Sequence, residues 1–190
     1  MQKFKRYLKR ISAMDDKDWE FFSSKLKKRL IPKKTIFLKK GTIENYISFI
    51  ESGAVRLYIP NEEKEKEITF GFCFQEEFVS AYDSFLTKKP SLYELETLID
   101  TTLWTISNKD LQEVYNKTLI GNTIGRFTAE RLFLLKSKRE QSLLDKTAKQ
   151  RYLDLFDERP FLIQQIPLKF IASYIGVTPQ ALSRIRRQIT

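Results

Sequence analysis

IPLKFIASYIGVTPQALSRIRRQIT, residues 166–190, is the stretch whose reading decides the fold of this chain. Pro167 stands where a first helical position is expected, because its fixed φ suits that place and its missing N–H is not needed there. The spacing predicts a short helix over LKFIASYI, with Phe170, Ile171 and Tyr174 facing inward. Ala172 is small, as a close helix crossing requires. Gly176 falls at the sharp turn, where only glycine takes a positive φ cheaply. Val177 fills the space between the helices, Thr178 caps the second helix, and Pro179 occupies its first position. Ala181, Leu182 and Ile185 continue the inward face, while Thr178, Gln180, Ser183, Arg184, Arg186 and Arg187 point elsewhere.

That outward set suits a DNA-reading helix. Its N-terminal residues face base edges, where Gln pairs with adenine and Arg with guanine. Flanking arginines and hydroxyls anchor phosphates, as does Lys169 on the preceding helix. The plain alternative is a surface helical hairpin. The order of small residue, glycine, apolar plug, cap and basic helix favours the helix-turn-helix.

Charge supports the same reading. Residues 126–190 carry 13 Lys/Arg against 6 Asp/Glu, residues 41–125 carry 7 against 14, and residues 1–40 carry 14 against 4. A basic C-terminal third behind an acidic middle is the asymmetry of a chain that meets a polyanion at one end. The N-terminal excess reads as a solvated lysine-rich surface.

Upstream, 118–142 reads as one long helix. Ile120, Ile124, Phe127 and Leu134 lie near a 3.5-residue repeat that Arg131 interrupts, and Leu132 and Leu135 widen the stripe. Apolar residues on two faces predict a dimer seam, with packing on the rest of the protomer as the alternative. A second amphipathic helix is predicted from Asp145 to Phe156, with Ala148, Tyr152, Leu155 and Phe156 inward. Residues 30–106 instead alternate at strand period in TIFL, YISFIESGAVRLYI, EITFGFCF, EFVSA, YELETLI and TTLWTI, which predicts a β-sandwich or β-roll. Asp15 or Asp16 caps a short helix before them, running to about Leu26, and Ser107 caps another after them.

Composition narrows the function classes. With 42% hydrophobic residues, 15 Phe and 8 Tyr, the chain has material for a packed core, so disorder is not expected. The sequence contains no His and only one Cys, Cys73, which excludes disulfides, Cys/His zinc sites, His-ligated haem and histidine general-base catalysis within one chain. Cys73 sits in the apolar run ITFGFCF and reads as a buried structural thiol. Neither a metal-ligand cluster nor a nucleophile–base pair nor a glycine-rich phosphate loop is present, and Glu62-Glu63 and Glu76-Glu77 read as turn and strand-edge charges, so an enzyme is not expected. With no membrane span and no signal-peptide pattern, a cytoplasmic location is the expectation.

The chain resembles the Crp/Fnr regulators, the family of the cyclic-AMP receptor protein, from about Asp15 onward. Lys40-Gly41, Tyr46, Ile50, Gly53, Val55 and Arg56, in KKTIFLKKGTIENYISFIESGAVRLYI, match the family's opening pattern, and SRIRRQI closes the chain as its recognition helix does. The resemblance implies an α+β protein: a cyclic-nucleotide-binding-like β-roll (jelly roll) over 1–117, a dimerisation helix over 118–142 and a helix-turn-helix domain over 143–190. The expected dimer interface is Ile120, Ile124, Phe127, Arg131 and Leu134. The expected partners are double-stranded DNA at a palindromic promoter site, a second copy of the chain and RNA polymerase. Because the sequence stops at Thr190, the usual β-hairpin wing after the recognition helix is expected to be absent.

Departures from the family pattern fall at its ligand pocket. Nucleotide-binding members carry a Gly-Glu pair for the ribose hydroxyls and, about ten residues on, an Arg for the cyclic phosphate. In FQEEFVSAYDSFLTKKPSLYELETL, Ser80-Ala81 stands for Gly-Glu, and the Arg position falls near Ser91. Lys88 and Lys89 are the nearest substitutes, in a turn that reads as solvated. Loss of cyclic-nucleotide binding is the expectation, with no cofactor implied and an unidentified, less charged effector lined by Ser80, Tyr82, Phe85 or Tyr93. At the reader, Pro179-Gln180 stand where some members have a base-reading Arg-Glu pair, while Arg184 keeps the later Arg, so the half-site differs from that of the cyclic-AMP receptor. The competing function is an effector-binding or protein-interaction module whose C-terminal helices dock a protein partner rather than DNA.

Overall fold

The computed structural model describes residues 1–63, 66–118, 120–158 and 166–189. Among these, strands β1 (Lys27–Ile31), β2 (Ile36–Leu38), β3 (Tyr46–Ser52), β4 (Ala54–Ile59), β5 (Ile68–Phe74), β6 (Phe78–Val79), β7 (Glu94–Thr97) and β8 (Thr101–Ser107) form two four-stranded antiparallel sheets. Their orders are β1-β8-β3-β6 and β2-β7-β4-β5. Ile31, Leu38, Ile50, Val55, Val79, Leu95 and Leu103 fill the space between the sheets. The β3–β4 connection is tight: a Cβ on Gly53, at φ 120°, would lie 2.3 Å from the Thr101 hydroxyl oxygen.

Helices cover the roll on one side. Helix α1 (Gln2–Ile11) and helix α2 (Asp16–Ser24) pack Phe4, Tyr7, Leu8 and Phe22 onto Ile47 and Phe49 of β3. Phe4 stacks on Phe49 with ring centroids 4.3 Å apart. Asp15 caps α2 by accepting from the Asp18 N–H at 2.7 Å. Helix α3 (Tyr82–Thr87) follows β6, and helix α4 (Asn108–Lys117) begins at the Ser107 cap. The lysine-rich N-terminus is therefore an amphipathic helix. Its three buried residues are too few to stand out from sequence against five surrounding cations. Likewise α3 shortens the expected EFVSA strand to two residues, and β1 begins at Lys27, before the predicted strand region.

Helix α5 (Gly121–Asp145) is the long helix, displaced about three residues from its expected span. Its start closes the roll's own core: Ile120 is 2% and Ile124 7% exposed, packed with Phe49, Phe85 and Val114. Those two residues are therefore corrected from dimer seam to protomer core. Helix α6 (Ala148–Glu158), helix α7 (Leu168–Ile175) and helix α8 (Pro179–Arg187) complete the chain. Pro167 precedes α7 as its N-cap instead of occupying its first position, and Phe156, expected inward, is half-exposed.

Helix α7 docks on the roll through a buried cation. Arg56 of β4 is 2% exposed. Its guanidinium lies 3.9 Å from the Phe170 ring centroid on α7 and 4.0 Å from that of Tyr58. It donates to Thr69 at 2.8 Å and to the carboxylates of Glu67 and Glu96 at 3.0 and 3.4 Å. Beside it, the Ser173 hydroxyl accepts from the Thr69 N–H and donates to the Glu67 carbonyl, both at 2.8 Å. A planar, weakly hydrated guanidinium suits this stacked and bonded setting better than an ammonium. Removing it leaves two partly buried carboxylates unpaired. Arg56→Ala is expected to lower the unfolding free energy by about 3–5 kcal/mol in urea titrations, with Arg56→Lys recovering only a minor part.

Candidate nucleic-acid interface and sensor cavity

The α7–α8 pair has helix-turn-helix geometry built from local rules. Gly176 takes the left-handed conformation at φ 78°. The N–H groups of Gly176 and Val177 return to the carbonyls of Ser173 and Ala172. Thr178 accepts from the Ala181 N–H at 3.2 Å, and Pro179 opens α8. Ile171, Ala172, Ile175 and Leu182 are buried between the helices. The last carbonyls of α7 are held from outside: Arg139 of α5 donates to Tyr174 O at 2.8 Å, and Arg151 of α6 to Ile175 O at 2.9 Å. Such partners satisfy acceptors that a helix C-terminus cannot pair itself.

Gln180, Ser183, Arg184, Arg186 and Arg187 all lie exposed on α8, with Thr178 and Pro179 exposed at its start and Lys169 exposed on α7. All of the residues expected to read DNA are thus exposed. Gln180 and Arg184 are one turn apart, and Arg184, Arg186 and Arg187 fall in the last turn. Two hydroxyls have local duties: Thr178 is the cap, and Ser183 donates to Pro179 O at 3.0 Å.

A second feature is a cavity of about 220 Å³ between the roll, α5 and the C-terminal helices. Ser80, Tyr82 and Tyr93 line it, as expected. Phe85 does not: at 1% exposure it belongs to the core under α4 and α5, and is corrected accordingly. Cys73, expected as a buried core thiol, is half-buried on the cavity wall. Arg131, expected in a dimer seam, also lines the cavity, with Lys136 and Arg139 on the same helix. Sequence reasoning sought a cation near residue 91 and missed these three. Their spacing of five and three residues along one helix was the available signal. Of the remaining seam candidates, Phe127 is 37% and Leu134 66% exposed, and Phe133 at 71% and Leu144 at 83% extend the uncovered apolar surface.

The wall near α3 is occupied by the protein's own groups. The buried carboxylate of Glu44 accepts from the Tyr46 N–H at 2.9 Å and from the backbone of Ala81 and Asn45. The Ser80 hydroxyl donates to Tyr46 O at 2.8 Å. Tyr93 donates to Asp83 at 2.6 Å, and burial together with that carboxylate raises its pKa. Burial likewise raises the pKa of Glu44, an effect its amide bonds partly offset.

Residues 28–118 match the family model of the cyclic nucleotide-binding domain. No curated protein sequence matches the chain. Among solved structures, the chain is similar to the c-di-GMP-responsive global regulator CLP of Xanthomonas campestris, at 20% identity, TM-score 0.70, covering 92% of this chain and 91% of that one. It is similar to FixK2 of Bradyrhizobium japonicum at 15% identity, TM-score 0.72, with 86% and 84% coverage. A Crp/Fnr-family transcriptional regulator structure from Eubacterium rectale gives 18% identity, TM-score 0.70, with 92% and 83% coverage. Residues 28–118 thus match a cyclic nucleotide-binding domain, and the fold of the chain is similar to that of these three solved structures. No helix among the described residues is long and apolar enough to cross a membrane.

The raised pKa of Glu44 sets a pH dependence. The folded state holds this proton more tightly than the unfolded one, so the favourable contribution is present below the unfolded carboxylate pKa of about 4.3 and is lost as pH rises through the folded value. The stability of the native protein relative to Glu44→Gln is expected to fall across that window, as measured by denaturant titration at a series of pH values.

Proposed function

We propose that the chain is a homodimeric, sequence-specific DNA-binding transcription regulator of the Crp/Fnr type that answers a signal other than cyclic AMP. The observation that carries the reading is α8: a capped helix whose buried side is apolar and whose open side presents Gln180, Ser183, Arg184, Arg186 and Arg187. Gln180 and Arg184 are placed for base edges, and Arg186, Arg187 and Lys169 for phosphates. The half-exposed and exposed residues Phe127, Phe133, Leu134 and Leu144 on α5 supply a surface for a second copy. The Gly-Glu pair and Arg that the family's nucleotide binders carry are replaced by Ser80-Ala81 and by a stretch with no Arg, and the Ser80 hydroxyl is already bonded to Tyr46 O. The tryptophan- and tyrosine-bearing roll, 1–117, is the sensor, 118–142 the dimer helix, and 143–190 the reader.

Binding selection on randomised duplexes tests the reader. Arg184→Ala should relax one position of the selected site and cost about 1–3 kcal/mol per half-site. Arg187→Ala should weaken all sequences alike and reduce the salt slope by about one unit. Selection of no sequence by the native protein, with or without cell extract, would end the proposal. The dimer is tested by sedimentation: Phe133→Glu with Leu134→Glu should yield a monomer, and a native protein already monomeric at micromolar concentration would remove it. Calorimetry should find no micromolar binding of cyclic AMP or cyclic GMP.

A further inference from the structure

The cavity has a polarity that names its ligand class. Its sheet side is aromatic, formed by Phe70, Phe72 and Phe78. The polar groups beside that side are committed elsewhere: Ser80 bonds to Tyr46 O, and Glu77 accepts from the Phe74 N–H at 3.0 Å. Its helix side carries three cations, Arg131, Lys136 and Arg139, all from α5. The same helix contributes Thr128 to the lining. The lining therefore offers an apolar end at the sheet and an anion-seeking, hydrogen-bonding end at the helix.

We propose that this cavity binds an apolar carboxylate, its hydrocarbon body against Phe70, Phe72 and Phe78 and its carboxylate toward Arg131 and Lys136. The proposal rests on the regulator reading only in assigning the ligand a signalling role. A neutral apolar ligand would make no use of the cations at the helix side, and an anion without an apolar body would gain nothing from the aromatic wall. Tyr174 and Leu155 also line the cavity, and both belong to the C-terminal helices. Tyr174 is held by Arg139, whose guanidinium carbon lies 3.8 Å from the ring centroid. An occupant thus touches the α7 helix of the reader directly. By linkage, any change such an occupant makes in DNA affinity is matched by an equal change that DNA makes in the affinity for the occupant.

The test is calorimetry on the full chain with 2-naphthoate and decanoate, their amides, and cyclic AMP. At least one carboxylate is expected to bind with a dissociation constant at or below about 100 µM. The amide of the same body should bind at least about tenfold more weakly, as the loss of a charge-assisted hydrogen bond requires. Arg131→Gln with Lys136→Gln should erase that acid-over-amide preference while leaving amide binding unchanged. If the double variant fails to fold, exposed Lys136→Gln alone carries the comparison through a reduced preference. Acid and amide binding equally, no carboxylate binding at 1 mM (about the weakest affinity of interest), or a preference that survives the substitutions would overturn the proposal. Duplex selection on the same samples keeps the two readings apart. Sequence selection without carboxylate binding removes only the ligand assignment, whereas carboxylate binding without any DNA selection removes the regulator and leaves the site.

Discussion

The docking of the C-terminal helix pair on the β-roll depends on the burial of one guanidinium. Arg56 is almost fully removed from water, and a charge so placed must be paired and hydrogen-bonded from all sides. Strand register supplies part of this, since β4 sets Arg56 opposite Glu96 on β7 and Phe72 on β5. The remainder comes from a distant part of the chain: Phe170 closes one face of the guanidinium, and Ser173 ties the adjoining backbone. The first helix of the helix-turn-helix is thus a structural component of the roll's surface. Its far end is fixed by Arg139 and Arg151. With α7 held at both ends, the direction of α8 follows from the turn at Gly176.

The long helix α5 divides its work along its length. Its start seals the core beneath β3 with Ile120 and Ile124. Its middle turns Thr128, Arg131, Leu132, Leu135, Lys136 and Arg139 toward the cavity. Other faces leave Phe133, Leu134 and Leu144 uncovered. A single helix can serve three surfaces because successive residues are rotated by about 100°. That arrangement places the cavity, the uncovered apolar face and the α7 docking contact on one rigid element. Arg139 joins that element to α7 twice, by stacking on the Tyr174 ring and by donating to Tyr174 O.

Much of the reader was legible in the sequence because its determinants are local. Gly176 at positive φ, the Thr178 cap and Pro179 at the first position follow from backbone sterics and hydrogen bonding within a few residues. The strands of the roll were legible from alternation. Helix α1 was not, because lysines and arginines outnumber the three residues it buries. The short helix α3 was hidden within a run that also reads as strand.

The amino-acid order alone was enough for the strands of the roll, the helices that start at clear caps and the exposed chemistry of α8, since periodicity, caps and turn residues act over one or two turns of chain. What only the tertiary structure decided is which neighbour each apolar or charged face meets. Ile124 is as apolar as Leu134, yet one is enclosed by Phe49 and Val114 and the other stands open. Arg56 and Arg131 are both single arginines amid hydrophobic residues, yet one locks two parts of the chain together and the other faces a cavity. Burial is a property of distances between segments far apart in sequence, and local periodicity carries no record of them.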